Sequence, residues 1–429
     1  KNQKINKEEW IISIYLDNAA KTQVKKEVLD VIIKSLEEDW YNPSSSYQPG
    51  VEVKNKIEQV RKLIADKINA KPNEIFFTSG GCEGNSWVID NFDHILYDPL
   101  SHESIKDIIK KKNNSQTDVF GRCYPGKPIS LTKLIVDEYG KLDLFFIEEE
   151  MKEFEYGSVD FSEVFTICGA NNEIGTVQSI KYIKNLLERN NKRLKEDFLS
   201  ENCGDEYYYG THKNFLLHID GTQMLPYMKI DVQDLGVDIM TFSGAKIGCP
   251  SGIGFMYVNG NLQNDRFTRL EQIIGGAQEN GLRGGTENVP YILGLGKAMQ
   301  LLDTDTSHLE SLRDYFINKL LTLPNTKLVG SKINRLPNNV NICFGNIDAS
   351  ALLSYLNLNG IYASSGSACN SNSLEPSHVL KEIGLSDIEA NSCVRFTLSN
   401  ETTVEELEET FSVIERFVTR QNKYLGKGE

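Results

Sequence analysis

An α/β fold, with a large domain built on a mainly parallel sheet and a smaller α+β domain, is predicted by three features of this 429-residue chain. Short apolar runs of strand character (VFTICGA, FLLHID, VDIMTFSG and GIGFMYV) alternate with stretches of helical periodicity, the pattern of βαβ units. The run EIFFTSGGCEGNSWVI passes from a β-type segment through a Gly-rich turn into a helical pattern. After RGGTENVP the character shifts, and a helix around Leu309 to Leu323 leads to NNVNICF, GIYASSGSAC and CVRFTLS. The boundary is placed near Pro290: residues 17–289 form the large domain, and 1–16 with 290–429 the smaller one.

The elements follow in order. VKKEVLDVIIKSLEEDW carries Val24, Val28, Ile32 and Leu36 at four-residue intervals, an amphipathic helix that NPSSSYQPG ends with Pro and Gly. A second helix presents Val53, Ile57, Val60 and Ile64. Thr403 and Glu406 have the spacing of a capping box at the start of the last helix. Residues 111–130 and 190–214 are rich in Lys, Asn and Glu and read as surface insertions.

Composition narrows the function. A net charge of −14 argues against nucleic acid as a partner, because phosphate binding draws on clustered positive charge. No apolar run reaches the 18 or so residues of a membrane span, and the opening KNQKINKEEW has no hydrophobic signal core. Eight cysteines without a CxxC pair fit a reducing, cytoplasmic setting better than a disulfide scaffold. Cys203, His212 and His218 are too irregularly spaced to suggest a metal site.

Three sites carry candidate chemistry. The turn TSGGCEGN, between a strand and a helix, is either a plain β-α turn or a phosphate cradle of backbone N–H groups, with Gly81 and Cys82 at its centre. HIDGTQ ends an apolar strand on Asp220, where α/β sheets bind ligands and where an Asp can also simply cap a turn. Lys246 lies in a Ser- and Gly-rich loop between two apolar strands, a setting that favours a desolvated amine nucleophile. Together a phosphate turn, a strand-end Asp and a loop Lys suggest pyridoxal phosphate.

The chain resembles the cysteine desulfurases of the NifS/IscS type, within the class V aminotransferase family. The resemblance runs from YLDNAAKT through NPSSS, FTSGGCEGN, NNEIGTVQ, HIDGTQ, SGAK, GLRGGTENVP and SSGSACNSNSLEPSHVL to VRFTLSN. It implies a pyridoxal-phosphate-dependent transferase fold, aspartate-aminotransferase-like, in a homodimer. Lys246 matches the Schiff-base lysine, Asp220 the partner of the pyridine nitrogen, and Gln223 the donor to the ring hydroxyl. His102 matches the histidine that stacks on the ring and moves protons, and Asn172 and Arg395 the groups that hold the substrate carboxylate. Gly81, Cys82 and Ser243 fall in the cofactor's phosphate site, with Thr286 reaching the partner subunit's phosphate.

The resemblance also gives Cys369 a role. In the family this loop cysteine takes sulfur from substrate L-cysteine, leaves L-alanine, and carries the persulfide to a sulfur-acceptor protein; a Gly- and Ser-rich tether suits such a thiol. Three departures stand out: Ala245 where the family has His, Cys82 where it has Thr, and Cys249-Pro250 behind Gly248. All three are expected around the cofactor, weakening its phosphate grip. The C-terminus QNKYLGKGE lacks the His-ending tail of the IscS branch, leaving the acceptor open between iron–sulfur cluster assembly and thiolation. A selenocysteine lyase or other lyase on the same fold, or a weakened relative acting as a binding partner, remain the competing readings.

Overall fold

The computed structural model describes residues 13–92, 94–114, 130–153, 163–201, 215–262, 272–365 and 375–425. In chain order the first eight strands are β1 (Ile14–Tyr15), β2 (Ile75–Thr78), β3 (His94–Tyr97), β4 (Ser130–Lys133), β5 (Glu163–Cys168), β6 (Phe215–Asp220), β7 (Ile239–Ser243) and β8 (Gly254–Val258). The remaining four are β9 (Thr326–Leu328), β10 (Asn339–Phe344), β11 (Ile361–Tyr362) and β12 (Cys393–Thr397).

A seven-stranded sheet in the order β2-β8-β7-β6-β5-β3-β4 forms the larger body. Strands β4, β3, β5, β6 and β7 pair in parallel, while β8 pairs antiparallel with both β7 and β2. Every residue of β5 and β6 is buried, as a parallel sheet covered on both faces requires. The two faces separate along each strand: Phe165 and Leu217 join one apolar core, Val164 and Leu216 the other. The first core takes the helices Lys26–Glu38, Gln48–Ile68, Ile180–Glu201 and Val289–Gln300; the second takes Gly81–Asp90 and Glu103–Asn114.

The helix Val289–Gln300 sends Ile292, Leu295 and Met299 into the first core. Two glycines let its neighbours come close: a Cβ at Gly294 would lie 2.7 Å from Ile32, and one at Gly296 2.6 Å from Val60. By packing, the larger body therefore runs on past Pro290 to Gln300. The smaller body holds the antiparallel sheet β12-β10-β9, the helices Ser307–Leu320, Ala349–Leu358 and Val404–Leu425, and the parallel pair β1-β11. Ile14 and Leu16 bury in its core.

Local expectations are met with two corrections. Both capping-box bonds form, Thr403 N–H to Glu406 Oε2 at 2.9 Å and Glu406 N–H to Thr403 Oγ1 at 3.2 Å. Val53, Ile57, Val60 and Ile64 are all buried. In the helix Lys26–Glu38, Val28 and Ile32 are buried but Leu36 is 61 % exposed. Two four-residue steps turn a side chain about 80° around a helix, so Ser35, seven residues after Val28, takes the inward place. The segment 190–214 is not an insertion throughout. Up to Glu201 it continues the helix Ile180–Glu201, with Asn190 and Leu194 buried and Asn191 bonded to both backbone groups of Phe215. Likewise 111–114 end the helix Glu103–Asn114.

In the smaller core, Phe316 is fully buried edge-on to Phe396, with ring centroids 5.4 Å apart. Phe316→Ala should cost roughly 3–5 kcal/mol and lower the urea midpoint of that body. An unchanged midpoint would mean that the core closes over the missing ring.

Candidate active site

The segment Leu16–Thr22, LDNAAKT, lies between the two bodies and is tied to both. Asn18 Nδ2 donates to Thr397 O at 2.8 Å, and Ala19 N–H to Thr397 Oγ1 at 2.9 Å. At the other end Thr22 Oγ1 donates to Ala245 O at 3.0 Å and accepts from Gly248 N–H at 2.9 Å. Three predicted site residues converge on this strap. Gln223 Nε2 donates to Ala19 O at 3.0 Å, Lys246 Nζ donates to Ala20 O, and Arg395 Nη2 meets Asp17 Oδ1 at 2.6 Å. Lys246 closes a single 3-10 turn, Gly244–Lys246, directly after β7.

The glycine turn sits beside them. Gly80 has φ +146°, and the helix Gly81–Asp90 starts without a side-chain cap, so its first N–H groups have no side-chain acceptor. A Cβ at Gly81 would lie 3.2 Å from Thr222 Oγ1 and 4.0 Å from Ser243 Cβ. The Thr222 hydroxyl oxygen is buried and has no hydrogen-bond partner among the described residues. Cys82 is exposed on this first turn. Glu83 behind it is partly desolvated, which would raise its pKa, yet Arg283 at 2.9 Å and Ser79 N–H at 2.7 Å hold the carboxyl below its usual range. Cys249 turns its side chain away from the open turn: it is fully buried in the core, where burial pushes its thiol up to about 12. It packs under the Lys246 turn, with its N–H donating to Gly244 O at 3.2 Å, and its thiol lies in the core.

Asp220 ends β6 with both carboxylate oxygens bonded, Oδ1 to Thr222 N–H at 3.0 Å and Oδ2 to Asn85 Nδ2 at 2.8 Å. Asn85 Nδ2 also donates to Ser104 Oγ at 3.0 Å, and Ser104 Oγ lies 3.0 Å from His102 Nδ1. Asp220 and His102, distant in sequence, are thus two ends of one hydrogen-bonded chain. In the layer below, His218 lies between Thr166 Oγ1 at 2.8 Å and Thr241 Oγ1 at 3.0 Å, and burial holds its pKa down to about 4. Asp98 accepts from Leu100 N–H at 2.8 Å and Cys168 N–H at 3.2 Å, and its burial pushes the carboxyl up to about 7.

Arg395, on β12, is buried. Beyond Asp17 it donates from Nη1 to Asn172 O at 3.2 Å, and its buried Nε has no partner among the described residues. Backbone bonds of 3.1 and 2.6 Å tie Arg395 to Ser364. Next to Asn172, the buried Glu173 accepts from Ser377 Oγ at 2.6 Å. Next to His102, Ser101 O lies 3.1 Å from His378 Nε2. Thr286 is exposed, on a ribbon where Gly285 N–H donates to Gly275 O at 3.1 Å. Cys369 lies outside the described residues, as do Cys203 and His212.

This fold and this cluster define a family. The profile of the aminotransferase class-V family matches residues 14–200 and 208–410, and the chain belongs to that family. It is 34 % identical to a cysteine desulfurase IscS of Methanosarcina thermophila, over 95 % of this chain and 92 % of the relative. A solved NifS-like protein superposes with a TM-score of 0.78 at 26 % identity, covering 95 % of this chain and all of the other. A structure described as SspA in complex with cysteine gives a TM-score of 0.71 at 27 % identity, over 90 % and 99 % of the two chains.

Sequence reasoning passed over Asp17, Asn85, Ser104 and Thr222. Three stand inside or beside a quoted motif (YLDNAAKT, TSGGCEGN, HIDGTQ) and Ser104 follows His102 by two residues, but nothing in spacing alone shows where each side chain goes.

The buried pair beneath the site gives a pH signature. Asp98 has a folded pKa of about 7 against an ordinary value of 3.8, so its stabilising contribution is full below about 3.8 and is lost as pH rises through 7. His218, held near 4 against 6.5, acts oppositely: its contribution is full above 6.5 and is lost as pH falls through 4. Relative to wild type, Asp98→Asn should therefore gain stability as pH climbs from 4 to 7. Thermal melts across that window would show it; a constant offset between the two proteins would mean that Asp98 titrates as an ordinary carboxylate.

Proposed function

We propose that this chain is a pyridoxal-phosphate-dependent cysteine desulfurase, which converts L-cysteine to L-alanine and leaves a persulfide on Cys369 for transfer to an acceptor protein. One observation carries the reading. The described residues on either side of Cys369 lie at the site: Ser364 is bonded to Arg395's own backbone, and Ser377 and His378 are bonded beside Asn172 and His102. Cys369 is five residues from Ser364, within roughly 17 Å of chain reach. Of the five cysteines described, Cys168, Cys249, Cys343 and Cys393 are buried, and Cys82 belongs to the glycine turn.

The residues present fit the cofactor. The open Gly80–Gly81 turn, its uncapped N–H groups and the unpartnered Thr222 hydroxyl suit a phosphate, helped by Ser243. Lys246 would hold the group covalently through Nζ, Asp220 would keep its ring nitrogen protonated, and Gln223 would donate to its ring hydroxyl. When bound, pyridoxal phosphate supplies an electron sink for bond-breaking at the amino acid's carbons.

The chain's own groups do the rest. Arg395 binds the substrate carboxylate, for which its buried Nε N–H is already available and its Nη2 is held by Asp17. His102 moves a proton. The Cys369 thiolate attacks the sulfur of bound cysteine, and the S–Cβ bond breaks. Its electron pair stays with the three-carbon fragment, which takes up a proton and leaves as alanine, while Cys369 keeps the sulfur as –S–SH. Thr286 would reach the cofactor phosphate of a second copy. Exposed apolar side chains support such a homodimer: Ile274, 85 % exposed beside that ribbon, and Leu36 with Trp40 at the end of the first helix.

Cys369→Ser should abolish persulfide and sulfide formation while the visible absorbance of the bound cofactor persists. Persulfide found by mass spectrometry on another thiol, with activity intact, would sink the assignment and favour a plain lyase. Lys246→Ala should lose that absorbance and all alanine formation. Arg395→Ala should weaken cysteine binding by about 2–5 kcal/mol, read as a raised KM; an unchanged KM would make Arg395 purely structural.

A further inference from the structure

We infer that Asn85 and Ser104 are positioning residues, which hold the Asp220 carboxylate and the His102 imidazole in a fixed relation and keep the neutral His102 ring protonated on Nε2. Asn85 is fully buried on the helix that starts at the glycine turn. Its amide Nδ2 donates both to Asp220 Oδ2, 2.8 Å, and to Ser104 Oγ, 3.0 Å. The amide cannot turn over, because a carboxylate offers only lone pairs and would repel the amide oxygen. That oxygen, Oδ1, is itself buried without a partner among the described residues. A residue needed only to fill space would be apolar here; this one tolerates an unsatisfied oxygen to place two donors.

The direction of the remaining bonds then follows. Ser104 Oγ accepts from Asn85, so its own O–H is free to donate to His102 Nδ1 at 3.0 Å. The Ser104 backbone N–H points at the same nitrogen from 3.1 Å. A ring nitrogen that accepts from two donors carries no proton, so the neutral imidazole keeps its proton on Nε2. The inference rests on the proposed function for its consequence. Asp220 must present a fixed carboxylate to the cofactor ring, and His102 must exchange its proton at one defined atom; Asn85 serves both through a single amide group.

The test reads the ring and not the reaction. Ring-15N-labelled apoprotein, freed of cofactor, is examined by long-range 1H–15N NMR, with His102→Gln assigning the signal. Wild type should show His102 as the Nε2–H form. In Asn85→Ala the Nδ1–H form should rise about fivefold, the factor that one lost hydrogen bond is worth. Ser104→Ala should show a similar rise and Ser104→Thr, which keeps the hydroxyl, should not; these two serve if Asn85→Ala does not fold. A wild-type Nδ1–H form, or a tautomer ratio unmoved by both alanine variants, would overturn the relay even in an active desulfurase. A protein that fails to release sulfur from cysteine yet shows the tautomer shift would overturn the function and leave the relay standing.

Discussion

The backbone of Ala19 and Ala20 is the constraint on which the site depends. The buried carbonyl of Ala19 has to find a donor and takes the Gln223 amide, while the more exposed carbonyl of Ala20 takes Lys246 Nζ. The same strap places Asp17 against Arg395 and hangs from Thr397 on one side and Ala245 on the other. Groups from the larger sheet and from β12 are thereby referred to one short stretch of main chain. A loop lysine held only by its own flexible stem would sample many positions; one hydrogen-bonded to a tethered carbonyl is preorganised.

A second economy appears in the layer between the glycine turn and the sheet. Polar side chains there are buried and bonded within the protein: Asp220 to the Asn85 amide and the Thr222 backbone N–H, His218 to Thr166 and Thr241, Asp98 to two backbone N–H groups. In a low-dielectric setting such bonds are strong when complete and costly when broken, so the network specifies one arrangement. Two groups displaced by burial here, Asp98 and His218, shift in opposite senses, because burial disfavours a carboxylate and an imidazolium alike.

The thiols divide along the same line of burial. Cys343 and Cys393 sit opposite each other on β10 and β12, and both donate to Glu389 O. Cys168 is buried at the end of β5, where desolvation and then the neighbouring Asp220 and Asp98 push its thiol up. Cys343 goes the other way: its hydrogen bond with Cys393 lowers its pKa, so burial alone does not set the state of every thiol.

The sequence by itself determined the alternation of strands and helices, the capping box at Thr403 and the buried face of the second helix, and it singled out Lys246 and Asp220 as candidates for chemistry. Those features are written in periods of two and 3.6 residues and in short motifs, and they need no partner from elsewhere in the chain. Leu36 escaped because a four-residue count drifts around the helix, and the helical part of 190–201 escaped because its polar composition hid Asn190 and Leu194. Only the tertiary structure decided that the Cys249 side chain turns into the core, that Asp17 occupies Arg395, and that Asn85 joins Asp220 to Ser104 and His102. Each of those facts is a hydrogen bond or a packing contact between residues far apart in sequence. Their geometry is set by strand order and by the close approach of backbone segments, neither of which any local run of residues encodes.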